Sequence, residues 1–93
     1  MPATFETVRA EALFASTLQG SDRPTADAVR RAVTESLHRR GMRGCAAEVA
    51  GEFGDHPETA VTRMRWALAA VRMAYPSRPT YVRPARLRLA LAC

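Results

Sequence analysis

Cys45 to Tyr75, CAAEVAGEFGDHPETAVTRMRWALAAVRMAY, decides how the rest of the chain is read. Ala46, Val49, Ala50 and Phe53 fall on one helical stripe, and Glu48 and Glu52 sit toward the other side, a solvated face. Gly54 follows, where a helix commonly ends in a left-handed residue. Asp55-His56-Pro57-Glu58 then has the chemistry of a helix start. Asp55 is the expected cap, Glu58 stands three residues on, and Pro57 falls in the first turn, where its missing N–H does no harm. The next helix runs to about Tyr75 and is closed by Pro76. Its main stripe is Ala60, Met64, Leu68, Val71 and Tyr75, with Val61 and Ala67 at the margins. Thr59, Thr62, Arg63, Trp66, Ala70 and Met73 lie opposite. A helix apolar on both sides serves two neighbours, or one neighbour and a partner.

A short helix, a tight turn and a longer helix is the layout of a helix-turn-helix. The run VAGEFGDHPETAVTRMRWA, Val49 to Ala67, resembles the helix-turn-helix of region 4 of bacterial sigma factors. The matching positions are Ala50, Gly54, Thr59, Arg63 and Ala67, without gaps, over roughly a fifth of the chain. Two positions depart from the pattern: Asp55 stands where an apolar residue is usual, and Ala60 where a bulky aliphatic is usual. The resemblance implies double-stranded DNA as partner, with His56, Glu58, Val61, Thr62 and Arg65 pointing into a major groove. Arg63, Arg65 and Arg72 would neutralise phosphates. A plain helical hairpin with the same turn chemistry is the other reading of these residues.

Going outward, residues 4–19 read as a first helix capped by Thr4. Phe5, Val8, Ala12, Ala15 and Leu18 form its stripe, widened by Leu13 and Phe14. Gly20 to Pro24 is turn chemistry. Thr25 caps a second helix from about Ala26 to Arg40, with Asp27 in its first turn. Val29, Ala32, Val33, Ser36 and Leu37 face inward; Arg30, Arg31, Thr34, Glu35 and His38 face out. Gly41 is expected to end it, with Met42 to Gly44 as a link. The expected fold is all-α: a small four-helix orthogonal bundle over residues 1–75. Residues 76–93 form a Pro/Arg-rich, extended basic C-terminal arm.

Ninety-three residues with 47% hydrophobic content make one domain with a modest core. Much of that content is Ala, so homodimerisation is a natural route to more burial. All fourteen basic residues are Arg, and the net charge is +5. An Arg-only, Ala-rich chain suggests a high-GC genome and is similar in style to small actinobacterial proteins. Residues 1–58 hold seven Arg and nine acids, whereas residues 59–93 hold seven Arg and no acid. An acid-free basic half suits phosphates or an acidic partner, or is a solvated tail.

In the last stretch, PSRPTYVRPARLRLALAC, the prolines favour extended chain. Arg78, Arg83, Arg86 and Arg88 are DNA-backbone candidates there. Leu87, Leu89 and Leu91 fall on one side of any strand. A plain unstructured tail is the alternative.

Trp66 either seats helix 1 together with Ala70 and Met73, or Trp66 and Met73 anchor a protein partner. The latter belongs to a second function class, a helical protein–protein interaction module such as an adaptor or antitoxin-like partner. Neither His38 nor His56 joins Cys45 or Cys93 in a zinc spacing. No catalytic constellation, cofactor or metal is expected, and the chain reads as a non-enzyme. No apolar run reaches membrane-spanning length, and the two cysteines are expected reduced in the cytoplasm.

Overall fold

The computed structural model describes residues 4–76, which form three α-helices packed on one another. They are α1 (Phe5–Phe14), α2 (Ala26–Asp55) and α3 (Pro57–Ala74), with a 3-10 turn at Gly20–Asp22 between the first two. The basic arm expected at 76–93, with Arg78, Arg83, Arg86 and Arg88, lies outside the described residues from position 77 onward.

The helix starts follow the capping residues. Thr4 Oγ1 accepts the Thr7 N–H at 3.0 Å, and Thr25 Oγ1 accepts the Ala28 N–H at 3.1 Å. Pro57 sits in the first turn of α3. The ends follow less closely. α1 stops at Phe14 instead of running to residue 19. Ser16 explains this: its hydroxyl donates to the Leu13 carbonyl at 2.6 Å and accepts the Leu18 N–H at 3.2 Å. Such local bonding offers the backbone an alternative to continued helix.

The expected link at residues 42–44 is helical, so α2 runs on to Asp55 with a kink at Gly41. Gly41 has φ 71° and ψ 171°, a conformation that is essentially restricted to glycine. The kink resets the helical phase. Val29, Val33 and Ser36 are buried at spacings of four and three, and a straight helix would next bury residues 40, 43 or 44. Arg40 and Arg43 are exposed instead, and Cys45 and Val49 turn inward. The Cys45 thiol, fully buried, donates across the bend to the Ser36 carbonyl at 3.7 Å.

Gly54 does not end α2 in the left-handed region; Gly41 is the only positive-φ glycine among the described residues. Nor is Asp55 the cap of α3. His56 alone separates the two helices, with φ −140° and ψ 65°, and makes no side-chain capping bond.

The core is small and rich in small side chains. Ala60, Ala67, Ala70, Val71 and Ala74 of α3 meet Ala10, Ala12, Leu13 and Phe14 of α1, and Val29, Val33, Cys45 and Val49 of α2. Phe14 stacks on Phe53 with ring centroids 6.2 Å apart. Phe5, expected in the inward stripe, is 80% exposed. Its place one residue after the cap leaves it beyond the packed part of α1.

Candidate nucleic-acid interface

α3 is tied to the body by arginines that reach helix ends. The Arg63 guanidinium donates through Nε to the Phe14 carbonyl at 2.9 Å, and through one terminal nitrogen to Ser16 at 2.9 Å and Leu13 at 3.4 Å. These carbonyls belong to the last turn of α1 and the bend after it, where no following turn supplies N–H donors and a cation is favoured. Arg63 also lies 5.6 Å from the Phe14 ring centroid and 5.1 Å from that of Trp66. Burial pushes the Arg63 pKa down, while Glu52 pulls it back up. Arg30 does for α3 what Arg63 does for α1. It donates to the Ala74 carbonyl at 2.9 Å and pairs with Asp27. Arg72 pairs with Glu6 at 2.9 Å and joins the end of α3 to the start of α1.

The residues expected to meet DNA therefore separate into two groups. Arg63 is turned inward and half-buried. His56, Glu58, Val61, Thr62 and Arg65 are all exposed, on the first half of α3. The surface continues backward, because every residue from Phe53 to Thr59 is exposed as well. The single-residue joint at His56 makes this a projecting corner. The Thr62 hydroxyl donates to the Glu58 carbonyl at 3.3 Å, and that of Thr59 to the His56 carbonyl at 3.1 Å. Arg72 is exposed at the far end of the helix and engaged with Glu6.

Trp66 is half-buried and lies against the turn after α1. A Cβ at Gly20 would meet the indole at 3.0 Å, so the turn approaches the ring as closely as a glycine permits. Ala70 is buried and Met73 is 62% exposed. Met73 therefore takes no buried part in a seat for α1 beside Trp66 and Ala70.

Charge on the described body is nearly even: residues 4–76 hold ten Arg and nine acids. Cys45 is a free thiol whose pKa burial pushes up, with Arg40 pulling it down. Among the described residues, no three His, Cys, Asp or Glu side chains are grouped to hold a metal ion. No helix among them is long and apolar enough to cross a membrane. Compared with protein-family models, curated proteins and solved structures, the chain matches none.

Proposed function

We propose that this chain is a small DNA-binding, transcription-associated regulator. In this reading the two arms of α2 on either side of the kink at Gly41 count as separate helices of an orthogonal four-helix bundle. The second arm and α3 act as a helix-turn-helix-like pair. The observation that carries the reading is the projecting corner: exposed residues 53–59, with Thr62 and Arg65 on the next turns of α3. A recognition helix meets base edges with its N-terminal residues, and this one presents that end exposed to solvent. Thr62 and Arg65 are the base and phosphate contacts, and His56 is a donor at the tip. Arg63 is a positioning residue in this scheme, since it fixes α3 against α1. Arg72 and the four arginines beyond Pro76 supply the remaining phosphate contacts. The chain acts in the cytoplasm, as a binding protein and not an enzyme, and a second copy would add the burial that Ala-rich helices lack.

Binding of the full chain to random-sequence duplex DNA, followed across a salt series, tests the reading. Affinity should fall steeply with salt, since released counterions drive phosphate binding. Arg65→Ala should weaken binding and lower the log–log salt slope by about one. Thr62→Ala should weaken binding without changing that slope. No binding at low salt would sink the proposal. Binding indifferent to Arg65→Ala, but lost when Arg78, Arg83, Arg86 and Arg88 become Gln, would reduce it to polyanion attraction by the last residues.

A second reading, a protein–protein interaction module, is favoured by Met73, an exposed flexible apolar side chain near the end of α3. Absence of DNA binding together with partner capture dependent on Met73 would select it.

A further inference from the structure

An apolar groove opens where the start of α1 meets the bend of α2. It is lined by Thr4, Phe5, Val8, Arg9, Leu37 and Met42. Phe5 is 80% and Met42 58% exposed, an unusual pairing of large apolar side chains facing one concavity. Arg9 forms one wall. Its guanidinium lies 5.5 Å from the Phe5 ring centroid and 4.0 Å from that of Tyr75. Tyr75 follows α3 directly, and Pro76 is the last described residue. The chain therefore leaves the helical body at the rim of this groove.

We propose that the groove seats the chain's own C-terminal stretch, residues 85–91, ARLRLAL. Leu87, Leu89 and Leu91 alternate with Arg86, Arg88 and Ala90. In an extended segment alternate side chains point to opposite sides, so the three leucines enter the groove while the arginines stay in water. Leu87 stands eleven residues beyond Pro76, about 36 Å of extended chain, ample to turn back on a groove that begins beside Tyr75. Pro79 and Pro84 stiffen that return and limit the freedom lost on docking. Occupation covers Phe5 and Met42 and holds Arg86 and Arg88 as a fixed basic edge along the body. This goes beyond the DNA reading and does not depend on it.

Methyl NMR of the full chain tests the assignment. NOEs should connect Leu87, Leu89 and Leu91 with Val8, Leu37 and Met42, unchanged on dilution. Leu87→Asp with Leu89→Asp should abolish them and shift the Leu37 and Met42 methyl resonances. The Val49 and Val71 resonances, in the core, should stay in place and show that the fold is intact. Two results would overturn the proposal. One is Leu37 and Met42 resonances that ignore the double substitution. The other is NOEs that arise only between differently labelled chains in a mixed sample, which would give the groove to a second copy.

Discussion

The Arg63 side chain donates to the Phe14 carbonyl at 2.9 Å and stands 5.6 Å from the centroid of the same residue's ring. One cation thus satisfies the end of α1 and covers its last aromatic. Both helices are short of large apolar contacts, so this tie carries an unusual share of the α1–α3 interface.

Arg63→Ala should destabilise the fold by about 2–3 kcal/mol, as expected for charge-assisted bonds lost from part-buried carbonyls. Arg63→Lys should recover less than half of the loss, because one ammonium cannot reproduce a planar fork reaching several carbonyls. Urea midpoints of the two variants decide this; equal stability for Lys and Arg would refute the forked contact.

The glycines of α2 should respond in opposite directions. Gly41→Ala forces a side chain into positive φ and should cost roughly 1–3 kcal/mol, although no atom lies within 4 Å of the added Cβ. Gly51→Ala, equally uncrowded but with helical backbone, should stabilise by about 0.5–1 kcal/mol. Thermal melts of the two variants should move to either side of the parent.

Much of this was legible in the residues. Thr4, Thr25 and Pro57 mark helix starts because a cap or a proline acts within one turn of itself. The inward face Val29, Val33, Ser36 follows from period alone, and so do the outward Arg31 and His38. Gly41 was readable as a break but not as a bend within α2, since a glycine permits either and only packing beyond it chooses. Gly54 and Asp55 carried the stronger local signal for an end and a cap, yet α2 runs through Gly54 to Asp55 and the junction falls at His56. Arg63 matched a DNA-binding pattern by spacing. Its partners are forty-nine residues away in sequence, at Phe14, where no local rule reaches. Thr62 and Arg65, which the helix-turn-helix resemblance turned outward, are both exposed.

Gly20→Ala should disturb Trp66 without touching the core. The new Cβ would stand 3.0 Å from the indole, so the ring must shift by a few tenths of an ångström or the turn must open. Overpacking of this kind costs about 1 kcal/mol or more. Trp66 fluorescence should shift to the red as the ring gains solvent, and an unchanged spectrum would contradict the close seat.

Cys45 sets a pH dependence. Burial raises its pKa in the folded state, so the folded chain holds the thiol proton more firmly than the unfolded chain. The associated stability is complete below the ordinary thiol pKa, about 8.5, and is lost as pH rises beyond it. The melting temperature should therefore decline above that pH, and Cys45→Ala should flatten the decline. The same variant should be less stable at neutral pH, since the Ser36 carbonyl loses its donor.

α1 and α3 run antiparallel: Glu6 meets Arg72 at one end, and Phe14 meets Arg63 at the other. The two ends of the helical body consequently lie side by side, with Arg9 against Tyr75. A pulling force applied through those ends would load the ties one after another, first Arg72, then Arg63, as a zip opens. Mechanical resistance should therefore be low. Anything grasping both ends of this chain, such as an unfoldase or a stretched fusion, would peel α1 from α3 before it met the bend at Gly41.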